Sequence, residues 1–279
     1  MGAYYYLVAG LPEISIDDNK LSFTVQQFRE ELYPHFTALD QKVIDLFYLK
    51  YDNENLLTLL KDKEASLAVQ GLYTQTELLQ LIEAAEVNRK ANIKAPSYLQ
   101  QFLTKYFEQD PDERIKTDEL LATYYYEYAM KTRNKFCRDW FNFEFHLNNI
   151  IAALTARKYG MNVSTHVIGN TPICEMLKTE HTKDFGLSEE VEYFEAVQKI
   201  TEIENLTERE RKMDLLKWKT LDDMSFFHYF GIEKMWVFLL KLDIVERWLT
   251  LDKEKGYEMF RRLIDGLKEE VSIPEEFRK

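Results

Sequence analysis

Apolar positions recur at helical spacing through a long stretch in the middle of the chain, from Leu120 to Gly160. Steps of four and three residues separate a series of large apolar side chains there: Phe136, Trp140, Phe143, Leu147, Ile150 and Leu154. That spacing places them on one face of an α-helix. Phe141 and Phe145 lie off this face, and a helix that is apolar on more than one side is usually buried between neighbours. The pattern predicts one long central helix that ends at Gly160.

Shorter segments of the same periodicity lie on both sides of this helix, and helix-starting signals precede several of them. Thr74 with Glu77, and Thr207 with Glu210, have the spacing of a capping box, in which each side chain bonds the backbone of the other residue. A last helix is predicted to begin at Asp252. The two capping boxes therefore predict helices that start just after Thr74 and just after Thr207.

The first quarter of the chain gives less regular signals. Leu39–Tyr51 and Leu56–Leu60 are predicted as separate helices, because Asn53 between them is of a type that commonly starts a helix. Tyr4–Ala9 is aromatic and apolar, and Gly10 ends it. A segment this short fits either a strand or a buried helix, since periodicity does not distinguish the two at this length.

Turn signals are scarce in the whole sequence, which holds only 9 Gly and 6 Pro among its 279 residues. No Asn-Gly or Asp-Gly pair lies between alternating runs, so the sequence contains no β-hairpin signal. It also contains no low-complexity linker that would separate domains. We therefore predict an all-α fold, a multi-helix bundle in a single all-helical domain that spans residues 1–279.

Composition narrows the possible partners and the cellular compartment. The formal net charge of −12 argues against general nucleic-acid binding, because an acidic chain repels phosphate backbones. Two cysteines in a chain of this length indicate a reducing compartment and no disulfide framework. The apolar run from Met235 to Leu249 contains Lys241, Asp243, Glu246 and Arg247, so it does not predict a membrane span. No signal peptide is evident, and we expect a cytoplasmic protein.

Catalytic and cofactor-binding motifs are not found in the sequence. It lacks the glycine-rich phosphate loops and the zinc-protease and serine-hydrolase motifs. His166, Cys174 and His181 are spaced by eight and seven residues, which fits no standard zinc pattern. Cys137 is expected to be a buried small apolar residue, and His146 to border the core with one hydrogen bond. We predict no enzyme activity and no catalytic, cofactor-binding or metal-binding residue.

Four tyrosines lie within five positions of the central stretch, at Tyr124, Tyr125, Tyr126 and Tyr128. They cover more than half of a helix circumference. One interpretation is that they fill the core and direct their hydroxyls outward. The other is a protein-contact surface, since tyrosine is enriched at interfaces. For the second interpretation we expect Tyr124, Tyr125 and Tyr128 to form the contact.

Three stretches resemble known proteins. Asp139–Gly160, with Asn148-Asn149-Ile150, Leu154 and Arg157, resembles the Asp…Asn-Leu/Ile…Leu-Arg…Gly signature of the C/d family of central-stalk proteins in V-type and archaeal-type ATPases. Tyr229–Trp248, which begins Tyr-Phe-Gly-Ile-Glu, is similar to the C-terminal helix of the same family. Tyr4–Pro12 resembles the opening of an uncharacterised bacterial family that accompanies V-type ATPase subunits, although Gly10 stands where the C/d family has Arg.

The resemblance implies a non-catalytic coupling part of a rotary machine. Members of the C/d family are all-helical, funnel-shaped proteins of three similar helical bundles, and they link the central shaft to the membrane ring of proteolipid subunits. The implied partners are therefore the shaft subunits and the proteolipid ring. The implied location is the cytoplasmic face of the inner membrane, where the protein is peripheral and does not span the bilayer.

Two other function classes remain open from the sequence. A helical scaffold or adaptor unrelated to the ATPase is the main alternative, because it too needs long helices and no reactive groups. An enzyme with a pocket between helical bundles is the third class. It has the least support, because the sequence shows no convergent set of polar residues.

Overall fold

The structure, a computed structural model, describes residues 3–110 and 116–270, with the backbone alone described for residues 254–270. Within these residues it consists of eleven α-helices and no strand, so the predicted all-α class is confirmed. Tyr4–Ala9, for which a strand was an alternative, is helical from Tyr5 onward.

The helices follow one another in this order: α1 (Tyr5–Ala9), α2 (Val25–Gln27), α3 (Ala38–Lys61), α4 (Gln75–Glu86), α5 (Ser97–Glu108), α6 (Thr117–Ala129), α7 (Lys135–Lys158), α8 (Pro172–Thr179), α9 (Phe194–Thr201), α10 (Leu206–Ser225) and α11 (Ile232–Glu270). A π-helical turn (Phe28–Leu32) and a 3-10 turn (Tyr33–His35) continue α2. A second 3-10 turn (Val163–Thr165) lies between α7 and α8.

The chain divides into two compact units. Unit 1 contains Phe36–Phe227, and unit 2 combines Ala3–His35 with residues 228–270. Helices α3 to α10 therefore belong to unit 1, and α1, α2 and α11 belong to unit 2. The single domain, and the three helical sub-bundles that the family resemblance implies, remain predictions.

Large aromatic side chains form the core of unit 1. Tyr48 on α3, Tyr98 and Phe102 on α5, and Trp140 on α7 are almost completely buried. Helix α3 also buries polar groups, which are satisfied by the loop that follows it. The carboxylate of Asp52 accepts hydrogen bonds from the amides of Leu72 and Tyr73 at 2.9 and 3.0 Å. These bonds fix the loop before α4.

The predicted single central helix is wrong, because the structure has two helices there. Helix α6 ends at Ala129, and α7 begins after Asn134, whose side chain accepts from the amide of Cys137 at 3.0 Å. The ring centroids of Tyr126 and Phe145 lie 5.2 Å apart. In one straight helix these residues would be about 28 Å apart, so the chain must turn back between them.

The end of the central stretch agrees with the sequence prediction. Helix α7 ends at Lys158, and Gly160 follows with a φ of +66°. Glycine adopts this left-handed conformation more easily than other residues, which makes it a common helix stop.

Two other predicted boundaries are corrected. Helix α3 is continuous, and Asn53 lies inside it, where its side-chain oxygen accepts from the hydroxyl of Tyr98 at 2.6 Å. Helix α10 starts after Asn205, which caps the amide of Glu208, and not after Thr207. The capping box of Thr74 and Glu77 is confirmed at the start of α4.

Unit 2 packs the segments of α1 and α2 onto the first half of α11. Phe23 and Phe28 contact the ring of Phe238, with centroid distances of 6.0 and 6.4 Å. The amide of Val25 donates to the carboxylate of Glu246 at 3.3 Å. Helix α11 runs through Asp252 without a break, so the predicted start of a new helix there is wrong. No helix in the part of the chain that the structure describes has the length and apolarity needed to cross a bilayer.

Candidate functional site

The tyrosine cluster on α6 is divided between the core and the surface. The ring of Tyr125 is buried, and its hydroxyl donates to the carbonyl of Leu46 at 2.8 Å. The hydroxyl of Tyr126 accepts from the side-chain amide of Asn148 at 2.9 Å. Burial raises the pKa of both phenols well above the ordinary value. Both side chains therefore support the fold.

Tyr124 and Tyr128 are half-buried, so only parts of their rings reach solvent. Tyr128 also packs on Tyr98, with 5.2 Å between the ring centroids. Of the three residues expected to form a contact surface, Tyr125 is enclosed by its own chain, and the outer parts of Tyr124 and Tyr128 remain. A partner contact at these two tyrosines stays a prediction.

A larger exposed aromatic surface lies in unit 2. We define the aromatic surface as Tyr5 and Tyr6 of α1 together with Tyr229 and Phe230, which precede α11. Tyr6 is 95% exposed and Phe230 is 43% exposed. The ring centroids of Tyr5 and Phe230 are 4.7 Å apart. Clustered exposed aromatic side chains are typical of protein-contact sites.

The backbone holds the two segments of the aromatic surface together. The amide of Tyr4 donates to the carbonyl of Phe230 at 2.7 Å, and the Tyr4 side chain is buried. Apolar periodicity did not indicate this surface, although the run of Tyr4, Tyr5 and Tyr6 carried a signal. Three consecutive bulky residues at the start of a five-residue helix point in different directions, so one small core cannot bury all of them.

A cleft of about 350 Å³ lies in the same unit, between the end of α1 with the residues that follow it and the first turns of α11. Apolar side chains dominate its lining, and two lysines of α11 accompany them: Val8, Leu11, Pro12, Ile14, Lys234, Val237, Phe238 and Lys241, with Glu13. Unit 2 therefore has apolar side chains accessible in this cleft in addition to the four residues of the aromatic surface.

Unit 1 contains a cleft of about 540 Å³ between α6, α7 and the residues after α7. The buried side chains of Phe145 and Asn149 form its base, and Asp118 and Glu119 line it from α6. The Asn149 side chain accepts from the amide of Ile168 at 2.8 Å and donates to the carbonyl of Phe145 at 3.1 Å. The bond from Ile168 fixes the wall of the cleft that includes His166.

A second cleft in unit 1, of about 320 Å³, lies at the C-terminal end of α7. Arg157 anchors it by donating to the carbonyls of Thr182, Lys183 and Glu180, at 2.7, 3.0 and 3.3 Å. Its guanidinium also lies 3.4 Å from the centroid of the Phe185 ring. Partial burial lowers the pKa of Arg157, and nearby Asp184 opposes that shift. Arg157 therefore fixes the backbone of residues 180–183 against α7.

The three residues considered for a metal site lie in different surroundings. His166 lines the cleft of about 540 Å³, Cys174 is buried, and His181 is exposed. The sulfur of Cys174 accepts from the hydroxyl of Thr171 at 3.1 Å. Across residues 3–110 and 116–253 the structure contains no group of three or more His, Cys, Asp or Glu residues that could hold a metal ion.

His146 and Cys137 occupy the positions expected for structural residues. The Nε2 atom of His146 lies 3.0 Å from the hydroxyl oxygen of Thr171, within hydrogen-bond distance. Burial lowers the pKa of His146, because it disfavours the charged imidazolium. Cys137 is completely buried. The expected core-bordering hydrogen bond of His146 and the burial of Cys137 are confirmed.

Comparison with known proteins gives one family. A family profile described as "Protein of unknown function (DUF2764)" matches residues 1–271. No curated protein matches the sequence, and no solved structure matches it. The matched range includes both units, so the aromatic surface and the clefts all lie within it.

Proposed function

We propose that the chain, which belongs to the DUF2764 family of proteins of unknown function, is a non-catalytic rotor-coupling component of a V/A-type ATPase. In this role it lies in the central stalk and links the shaft subunits to the proteolipid ring. It is peripheral on the cytoplasmic face of the inner membrane. It acts by binding other subunits and needs no reactive group of its own.

One observation carries the proposal. Two of the stretches that resemble ATPase-associated proteins, Tyr4–Pro12 and Tyr229–Trp248, are far apart in the sequence but pack together in unit 2. The hydrogen bond from Tyr4 to Phe230 and the contact of Tyr5 with Phe230 join them. Together they present the aromatic surface, and a coupling protein needs such a surface to bind a neighbour.

The third stretch supports a mechanical role. Asp139–Gly160 forms most of α7, in which Trp140, Leu147 and Ile150 are almost completely buried. Arg157 near the end of α7 connects it to the loop before α9. A closely packed helix resists deformation, because protein interiors have few voids and low compressibility. Transfer of torque requires this resistance.

The proposal is tested by affinity purification of the tagged chain from its host, without overexpression. The expected result is copurification of the shaft and proteolipid-ring subunits of the ATPase. Tyr6→Ala should weaken this association by about 2 kcal/mol, about thirtyfold in affinity, which is typical of an aromatic interface residue that binds strongly. Because Tyr6 is 95% exposed, the substitution should leave the fold intact.

Leu206→Ala is the matched control, since Leu206 is 60% exposed and lies in unit 1. Its association should equal that of the wild-type chain. If the wild-type chain brings down no ATPase subunits, the proposed function is wrong. If Tyr6→Ala and wild type bring down equal amounts, the assignment of the contact to the aromatic surface is wrong.

The alternative function, a helical scaffold or adaptor unrelated to the ATPase, would use the same aromatic surface. The identity of the proteins that copurify with the tagged chain distinguishes this adaptor role from the ATPase role. Partners that depend on Tyr6 and include no ATPase subunit would favour the adaptor.

A further inference from the structure

The cleft at the end of α7 is surrounded by cationic side chains from three separate elements. Arg157 and Lys158 come from α7, Lys183 from the loop after α8, and Arg209 from α10. Glu202 is the one acidic residue that lines the cleft. The structure describes all residues from 154 to 209, the range from which the lining comes. Four cations against one anion are unexpected in a protein that has 48 acidic and 36 basic residues.

Three of these cations are not neutralised by the protein. In the described part of the chain, Lys158, Lys183 and Arg209 form no side-chain hydrogen bond or ion pair. Other lysines of this unit do form such pairs, for example Lys217 with Glu144 at 3.4 Å and Lys135 with Asp139 at 2.8 Å. The helix dipole accounts for a cation at the C-terminal end of α7, but not for Lys183 or Arg209.

The geometry of the cleft is held by groups other than these three cations. Arg157 binds the carbonyl of Lys183 and so fixes the backbone that carries the Lys183 side chain. Arg209 is half-buried, one turn into α10. The cations therefore project from a fixed framework, which reduces the entropy lost when they bind a ligand.

The rest of the lining is suited to an apolar group. Leu154 is buried at the base, and the ring of Tyr159 is exposed beside it. Small-molecule sites commonly combine apolar walls with a few polar groups that orient the ligand, and their volumes start at about 300 Å³. The volume of this cleft, about 320 Å³, is at the lower end of that range.

We propose that this cleft binds a small organic phosphate, a molecule with one phosphate group and an apolar or aromatic portion. The charge of Arg157 is offset by the nearby carboxylate of Asp184. The other three cations minus the carboxylate of Glu202 leave an excess of two positive charges. A phosphate monoester carries about −1.5 to −2 charges at neutral pH, which matches this excess.

The cations have separate tasks in this complex. The planar guanidinium of Arg209 donates two parallel hydrogen bonds to phosphate oxygens, and Lys158 and Lys183 supply compact charges. Leu154 and Tyr159 contact the apolar portion. The site does not depend on the ATPase role, because none of its residues belongs to the aromatic surface.

The test is calorimetric titration of the full chain with 1-naphthyl phosphate, 1-naphthol and inorganic phosphate. Naphthyl phosphate should bind tighter than the other two probes, because only it engages both the cations and the apolar lining. Raised salt should weaken its binding. Absence of binding at millimolar naphthyl phosphate would overturn the proposal, and so would equal affinity for all three probes.

Variants distinguish specific binding at this cleft from nonspecific attraction of the phosphate to any cationic side chain. Lys183→Gln and Arg209→Gln should each reduce the affinity for naphthyl phosphate by about tenfold, since each removes a charge-assisted contact. Lys135→Gln is the control, because Lys135 also lies in α7 but at its opposite end. Circular dichroism should show unchanged helix content in all three. Equal losses in all three variants, or no loss in any, would overturn the proposal.

Discussion

The half-buried imidazole of His146 links the stability of the protein to pH. Its pKa is lowered from 6.5 by burial, so the folded chain binds fewer protons than the unfolded chain below that pH. The free energy of unfolding should therefore keep the full His146 contribution above pH 6.5 and lose it progressively as the pH falls below that value.

Urea unfolding at pH values on either side of 6.5 measures this effect. His146→Gln keeps a side chain that can bond the hydroxyl of Thr171 but cannot be protonated. The wild-type chain should lose more stability on acidification than the variant. Parallel curves for the two proteins would show that His146 does not contribute to the pH dependence.

Arg157 illustrates which part of a residue's role can be predicted. Its place near the end of a helix follows from the sequence, since the stop at Gly160 is clear. Its three carbonyl partners could not be predicted, because residues 180–186 lack any periodic pattern. Phe185 and Gly186 have φ values of +54° and +69°, which no local propensity indicates for phenylalanine.

At the scale of elements, the turn between α6 and α7 depends on Asn134. The turn contains neither Gly nor Pro, so the sequence has no helix-breaking residue there. The apolar periodicity on both sides of the turn therefore predicted one helix. Asn134 was the available signal, because Asn is a favoured N-cap, but many Asn residues lie elsewhere. The packing of Tyr126 on Phe145 separates α6 from α7, because it requires the chain to turn back between them.

Replacement of Asn134 should therefore destabilise the protein. Asn134→Ala removes the bond to the amide of Cys137 and should cost about 1 kcal/mol, up to about 2 kcal/mol because the site is buried. Asn134→Asp should retain more of the stability, since Asp also caps helices. Chemical denaturation followed by circular dichroism measures both. An Ala variant as stable as wild type would contradict the role given to Asn134.

Features that depend on residues close together in the sequence were predicted correctly, whereas features that depend on contacts between distant residues were not. The capping box of Thr74 and Glu77 is local, and it was located correctly. The continuity of α3 through Asn53 depends on Tyr98 in another helix. The aromatic surface depends on a bond between Tyr4 and Phe230, which sequence pattern alone does not reveal. Local signals thus gave the fold class, while the candidate sites required tertiary contacts.

At the scale of the whole molecule, unit 1 is continuous in sequence and unit 2 is not. Unit 1 has its own buried core, which includes Tyr48, Phe102 and Trp140. A chain of residues 36–227 should therefore fold alone, with helical circular dichroism and one cooperative unfolding transition.

A chain of residues 228–270, the C-terminal segment of unit 2, is the comparison for the isolated unit 1. Without Ala3–His35 these residues lack Phe23 and Phe28, which cover Phe238 in unit 2. They should not unfold cooperatively alone, and addition of residues 3–35 as a separate peptide should increase their helix content. A non-cooperative chain of residues 36–227 would contradict the independence of unit 1.

The discontinuity of unit 2 also sets an order of events on the ribosome. Unit 1 can fold while synthesis continues, but Ala3–His35 must wait until residues beyond 228 emerge. At about 5–20 residues per second, this wait lasts roughly 10–40 s. During that time Val25 and Phe28, which are buried in the finished protein, remain without their α11 partners. The nascent chain should therefore be a substrate for chaperones that bind exposed apolar segments near its N-terminal region.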